Sequence, residues 1–124
     1  MNLSHLFNQQ GLGVMSTASR EGHVNSAIYA RPHVIDEKTL VWGMTDGRTY
    51  RNIIENPHAS FLFKIAGGGF CGARLVLELI KTEEEGDMLA QIKASADATV
   101  GPGTGASVTH AAWFSVSEVR PLIL

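Results

Sequence analysis

The chain has little of what marks secreted, membrane-spanning or zinc-binding proteins. Cys71 is the only cysteine among 124 residues, which excludes an intramolecular disulfide and a cysteine-rich zinc site. No apolar run approaches the roughly 20 residues that cross a bilayer. The first residues lack the basic and apolar regions of a signal peptide. These absences predict a cytoplasmic protein with no membrane partner.

Charge is also sparse and dispersed. Ten basic and twelve acidic residues give a formal net charge of −2, with no run of Lys or Arg. Binding to nucleic acid needs clustered positive charge that neutralises phosphates, so no nucleic-acid partner is expected. The five histidines show no pair at i, i+4 and no acidic partner at ligand spacing. A metal site is therefore not expected.

What the chain does have is a normal apolar content of 44%, which is typical of a globular core. The length predicts a single domain over residues 1–124, without internal repeats or a dividing linker. A domain of this size hides only about two-thirds of its unfolded surface. A second subunit or a tightly bound ligand would therefore add to its stability.

Apolar periodicity predicts a mainly β protein with short helices. Turns between the first three strands are too short for parallel crossovers, so the sheet should be mostly antiparallel. A closed or split barrel would hide its edges in so few residues. The predicted strands are 12–17, 24–32, 39–45, 59–65, 73–81 and 111–116, with turns at 19–22, 35–38 and 67–69. The predicted helices are a short one around Leu3–Phe7, one at 48–55, and one from a capping box at 82–85 to about residue 93.

The strongest local signal for a ligand is the start of the helix at 48–55. Its free backbone N–H groups and its dipole favour an anion. Arg48 adds a planar charged fork suited to phosphate and Thr49 adds a hydroxyl. These residues alone leave two interpretations open, a phosphate site or an ordinary turn with a solvated arginine.

Two glycine-rich segments need separate interpretations. Residues 67–72 match the dinucleotide pattern G-x-G-x-x-G, but that motif requires a following helix, and the next residues alternate as a strand. A hairpin is the better interpretation.

Residues 95–109 are predicted to be a loop, and one hypothesis is that this loop covers a ligand.

The order and spacing of four strings resemble the pyridoxamine 5′-phosphate oxidase-like family of FMN-binding split barrels, closest to its small FMN-binding proteins. The strings are GVMST at 13–17, EGHVNS at 21–26, GRTYRNI at 47–53 and ENPHAS at 55–60. The resemblance extends from about residue 13 to 81. It implies a six-stranded, mostly antiparallel split β-barrel. It also implies a homodimer that holds FMN at the subunit interface.

The resemblance also implies residue roles. Arg48 and Thr49 match the residues that hold the FMN phosphate, and Asn52 matches the asparagine that supports their loop. The other matched positions lie beside the flavin: Asn25, Ser26 and Ala27 on the second strand, and Gly43, Met44 and Thr45 at the end of the third. Trp113 is expected to approach the partner's flavin, with a place in the plain core as the alternative.

The implied function is that of a flavoprotein that transfers electrons or reduces a small molecule through FMN. No catalytic set of side chains is assigned, because the flavin supplies the chemistry. The chain is much shorter than true pyridoxamine phosphate oxidases and lacks a recognisable substrate segment, which argues against that specific activity. The same barrel binding a deazaflavin or haem, and a cofactor-free binding module, are the alternatives.

Overall fold

The computed structural model describes residues 2–123, and strands account for most of them. In chain order the elements are α1 (Leu3–Phe7), β1 (Gly11–Ala18), β2 (Val24–Tyr29), β3 (His33–Asp36), β4 (Thr39–Met44), α2 (Arg48–Glu55), β5 (His58–Ile65), β6 (Gly72–Glu83), α3 (Asp87–Thr99), a single 3-10 turn (Thr104–Ser107) and β7 (His110–Arg120). The prediction of a mainly β protein with short helices is confirmed.

All seven strands belong to one antiparallel sheet in the order β2-β1-β5-β6-β7-β4-β3. The long strands β6 and β7 shift register at two points, near Val76 and near Ile80, and such bulges bend strands. The sheet therefore curls, and its two ends approach each other without pairing. Across this gap the indole Nε1 of Trp42 donates to the carbonyl oxygen of Ala30 at 2.9 Å.

The strand count is one higher than predicted. Residues 33–36 form β3, whereas the sequence interpretation placed a turn at 35–38 and extended the second strand to Pro32. Proline lacks a backbone donor and interrupts a ladder, so β2 ends at Tyr29 and a new strand starts after Pro32. The turn itself is shorter, with the N–H of Lys38 donating to the Asp36 carboxylate at 2.8 Å.

The predicted start of the third helix is wrong. Thr82 and Glu83 belong to β6, where they pair with Ala112 and Ala111 of β7, and α3 begins only after Gly86. Strand pairing has outcompeted the local capping-box signal. The helix then continues to residue 99, and a 3-10 turn follows at Thr104–Ser107. The prediction of a continuous loop at 95–109 is therefore wrong, because this segment contains the end of α3 and the 3-10 turn.

The hairpin interpretation of the glycine-rich segment is confirmed, because residues 67–71 connect the antiparallel pair β5 and β6. A dinucleotide-binding loop is followed by a helix, whereas this segment is followed by a strand, so it is not such a loop. No helix within residues 2–123 is long and apolar enough to cross a membrane.

Strand β4 is buried on both of its faces, and this positions the candidate site. Leu40, Trp42 and Met44 share one face, as predicted, and lie in the main core. The opposite face carries Val41 and Gly43, and α3 covers it. Burial of both faces explains why this strand is nearly continuously apolar.

Candidate functional site

Helix α2 begins and ends at the predicted residues, 48 and 55. Its N-cap is Gly47, which offers no side chain to accept from the first-turn N–H groups, and no acidic residue lies in that turn. Those N–H groups have no intrahelical partners. The helix start is therefore an uncapped, positively polarised end.

A cavity of about 410 Å³ opens at this helix start. It lies in the gap of the sheet, between β2, the end of β4 and the segment before β7. Its volume falls within the range of about 300–1,000 Å³ that is usual for ligand sites. The lining residues are Asn25, Ala27, Ile28, Tyr29, Gly43, Thr45, Gly47, Arg48, Thr49 and Val108.

Two arginines of α2 have different surroundings. Arg51 lies 3.6 Å from the Asp46 carboxylate, and both side chains are mostly exposed. Arg48 lines the cavity and makes no ion pair with any of residues 2–123. Its guanidinium is consequently available to an anionic ligand at the helix start.

Thr49 connects the helix start to strand β2. Its buried hydroxyl accepts from the amide of Asn25 at 3.4 Å. Burial raises the pKa of the neighbouring Tyr29 phenol, and its hydrogen bond to Thr49 offsets part of that rise. The phenol is therefore neutral at pH 7. These contacts fix two polar groups of β2 along the cavity wall.

One turn further along α2, Asn52 connects the helix to the sheet. Its buried amide donates to the hydroxyl of Thr17 on β1 at 3.1 Å. A buried polar pair of this kind positions the helix against the sheet. The predicted role of Asn52 in supporting a phosphate-binding loop stays a prediction.

Six of the ten sequence-predicted residues line the cavity: Asn25, Ala27, Gly43, Thr45, Arg48 and Thr49. Of the others, Ser26 faces away from it, with its hydroxyl 2.9 Å from that of Ser16. Met44 is buried in the main core. A place along the flavin ring stays predicted for Ser26, through its backbone groups, and a place beside the flavin stays predicted for Met44.

Trp113 lies on β7, apart from the cavity. Its Nε1 donates to the Glu83 carboxylate at 2.8 Å, and the ammonium of Lys81 lies 4.4 Å from its ring centroid. The indole is partly buried against the apolar cluster of Val41, Leu89, Ile92 and Ala111, and it also contacts these two charged side chains. Contact with a partner's flavin stays a prediction.

Sequence reasoning missed four lining residues, Ile28, Tyr29, Gly47 and Val108. A signal existed for Tyr29, because strand alternation places it on the same face as Asn25 and Ala27. Val108 gave none, since it reaches the cavity only through the packing of the segment before β7. Its side chain, together with Ile92 of α3, closes over Gly43: a Cβ there would lie 2.5 Å from Ile92 Cγ2 and 2.8 Å from Val108 Cγ1.

No protein-family model and no curated protein matches the chain. Solved structures do. An FMN-binding protein of Syntrophomonas wolfei subsp. wolfei superposes with a TM-score of 0.87, at 22% identity over 99% of this chain and 85% of that one. A candidate pyridoxamine 5′-phosphate oxidase of Lactobacillus delbrueckii gives 0.67, at 18% identity over 93% and 87%. An F420 reductase gives 0.61, at 20% identity over 95% and 91%.

The chain has the split-barrel fold. It shares this fold with the three structures named above. The fold implied by the four sequence strings is therefore confirmed. At these identities the likeness extends to the fold, and a split barrel hosts more than one chemistry. Function has to be argued from the cavity of this particular barrel.

Proposed function

We propose that this split barrel is a flavoprotein that binds FMN in the cavity at the start of α2 and uses it to transfer electrons or to reduce a small molecule. The observation that carries the proposal is the coincidence of an uncapped helix start, an arginine without an ion pair and a 410 Å³ cavity. A phosphate ester attached to a ring system is the ligand that needs all three.

Arg48 and Thr49 would hold the phosphate. The guanidinium supplies two parallel donors, and the first-turn N–H groups supply more. The hydroxyl of Thr49 is oriented by Asn25 at 3.4 Å. Gly47 leaves the approach to the helix start open, because it has no side chain that an incoming phosphate would have to displace.

The rest of the cavity would hold the ring. Asn25, Tyr29 and Thr45 supply polar groups along its wall, whereas Gly43 and Val108 supply an apolar end. FMN, when bound, supplies the hydride and electron chemistry. The chain's contribution is to orient the ring, to donate hydrogen bonds to its polar edge and to exclude water.

A deazaflavin is the second candidate, and the similarity to an F420 reductase favours it. Both ligands combine a ring system with a phosphate. Haem is less well supported, because among residues 2–123 no histidine, cysteine or methionine lines the cavity, which leaves Tyr29 as the one axial ligand of a usual type. The cofactor-free module would leave Arg48 and the uncapped helix start without a role.

We also propose that the protein is a homodimer with the cofactor at the interface. Ile28, which lines the cavity, is 73% exposed. On the outward face of the sheet Ile28 pairs with Val14, and Val14 pairs with Leu62. This apolar row begins at the cavity rim. A two-fold contact between two such rows would cover them and shield the ring.

Sedimentation equilibrium tests the dimer. We expect twice the 13.4 kDa chain mass for the unmodified protein, and a monomer for Leu62→Asp, which places a charge in the row. The control is Ile35→Asp, since Ile35 is 42% exposed on β3 at the opposite edge of the sheet. A monomeric unmodified protein, or equal loss in both variants, would contradict this interface.

The cofactor itself is tested by the visible absorption spectrum of the purified protein and mass spectrometry of whatever heat denaturation releases. A flavin spectrum with released FMN supports the proposal. A deazaflavin of different mass supports the second candidate. A colourless protein that also fails to bind added FMN or deazaflavin would contradict both and leave the cofactor-free module.

A further inference from the structure

A second, smaller chamber of about 140 Å³ adjoins the cavity and shares Tyr29, Gly43 and Val108 with it. It lies further from the helix start, under α3, whose Ile92 and Ala96 form part of its wall. A ligand whose phosphate lies at Arg48 would thus point its far end toward this chamber. The chamber is not needed to hold that ligand, since the cavity already has the volume of a complete site.

The size and lining of the chamber limit what it can hold. An engineered apolar cavity of about 150 Å³ in another protein accommodates benzene. Here Trp42 of β4 lines the wall together with the apolar residues Ile92, Ala96 and Val108, and Ser95 and Thr99 of α3 add hydroxyl groups. One ring fits such a space, and a fused two-ring system exceeds it.

The chamber contains a ring with polar atoms that lack a partner. The imidazole of His33 makes no hydrogen bond within residues 2–123, and burial lowers its pKa below the ordinary value of 6.5. It is therefore a neutral donor and acceptor at pH 7. Arg31 also borders the chamber, but its guanidinium donates to the carbonyl oxygens of Phe7 and Gln9, at 3.3 and 3.0 Å. No carboxylate of the described residues lines the wall.

We propose that this chamber is the subsite for the reaction partner of the flavin, a small uncharged single-ring molecule that carries one hydrogen-bonding group toward His33. Its mostly apolar wall suits the ring, and the charged group at its border, the guanidinium of Arg31, already donates to backbone carbonyl oxygens, so an ionic ligand would lack compensation. The assignment as a reaction subsite depends on the proposed flavin site, whereas occupancy of the chamber does not.

Nitrobenzene is a suitable probe, because it is uncharged, has one ring and quenches indole fluorescence on contact. The chain has two tryptophans, so a Trp113→Phe background leaves Trp42 in the chamber wall as the only reporter. Titration of the flavin-free protein should show saturable quenching. The two-ring analogue 1-nitronaphthalene should bind at least about tenfold more weakly.

The matched pair of variants is Ala96→Leu and Ala94→Leu in that background. Both add the same side chain to α3, but residue 96 lines the chamber, whereas residue 94 is exposed. We expect Ala96→Leu to weaken nitrobenzene binding at least about tenfold, and Ala94→Leu to leave it unchanged. Equal affinity in both variants, or no saturable quenching at all, would overturn the chamber as a ligand site.

A second measurement tests whether the chamber adjoins the flavin. In FMN-loaded protein, nitrobenzene should perturb the flavin absorption band with the same midpoint as the quenching, and Ala96→Leu should abolish the perturbation. Saturable quenching of Trp42 without any effect on bound FMN would overturn the subsite assignment. A protein that binds nitrobenzene but takes up no FMN would contradict the proposed cofactor instead, so the two failures are distinguishable.

Discussion

The two long helices beside the cavity contribute in different ways. Helix α2 has eight residues, of which three are buried, and it presents its own N–H groups and Arg48 to the cavity. Helix α3 has thirteen residues but buries only Leu89 and Ile92. It acts as a wall over Gly43 and the chamber. Helix α2 thus supplies charged and hydrogen-bonding groups, whereas α3 supplies the shape of the cavity wall. We therefore expect mutations on the α2 side to weaken ligand binding and mutations at the α3 contact to lower stability.

The largest expected effect is on the α2 side. Arg48→Ala removes the guanidinium that, among residues 2–123, alone lines the cavity. We expect FMN binding to weaken by about 1.5–3 kcal/mol, the value of a hydrogen bond to a charged group, which is roughly ten- to 150-fold in Kd. Isothermal titration measures it. Arg51→Ala is the control, because it removes an arginine of the same helix that pairs with Asp46 outside the cavity; similar losses in both variants would refute the assigned role of Arg48.

Gly43→Ala tests the contact between α3 and β4. The added Cβ would lie within 2.8 Å of both Ile92 and Val108 side chains. We expect the free energy of unfolding to fall by about 1–3 kcal/mol, as for other overpacked cores. Gly68→Ala is the control, since nothing lies within 4 Å of a Cβ there. Equal denaturation midpoints for the two variants would mean that α3 shifts to accommodate the added Cβ without loss of stability.

Thr49→Val tests the link between the two sides of the cavity. It leaves the Asn25 amide, at 3.4 Å, and the Tyr29 phenol without their shared partner. We expect a loss of about 1–3 kcal/mol in unfolding free energy, since each hydrogen bond contributes about 0.5–1.5 kcal/mol. Thr82→Val is the control, because that hydroxyl makes no hydrogen bond within residues 2–123. A loss in the control as large as in Thr49→Val would remove the case for these hydrogen bonds.

The smallest effect concerns pH and the chamber under α3. Burial lowers the folded-state pKa of His33 below 6.5, so the unfolded chain binds a proton more readily. This contribution to stability is present above pH 6.5 and is lost as the pH falls toward the folded-state pKa. The unfolding free energy of the unmodified protein should therefore fall more steeply below pH 6.5 than that of His33→Gln. Parallel curves would contradict a half-buried neutral imidazole.

The same comparison explains what the sequence could predict. The bounds of α2 followed from Gly47, the spacing of Tyr50, Ile53 and Ile54, and the stop at Pro57, all of them local signals. Arg48 and Thr49 could be assigned for the same reason. Strand alternation likewise identified the core faces of β4 and β5.

The wall formed by α3 could not be predicted in this way. Its start depends on how far β6 pairs with β7, since Glu83 stays in the sheet opposite Ala111. Val108 reaches the cavity only because the sheet curls. Contacts that depend on the closure of a sheet leave no short-range pattern in a sequence, so the chamber became visible only in three dimensions.

The most direct test of the central claim is a titration of the flavin-free protein with FMN and with riboflavin, which differ only by the phosphate. If the start of α2 anchors that phosphate, FMN binds far more tightly than riboflavin in the unmodified protein. In Arg48→Ala the difference should shrink by about the same 1.5–3 kcal/mol. Equal affinities for FMN and riboflavin in the unmodified protein would contradict the account.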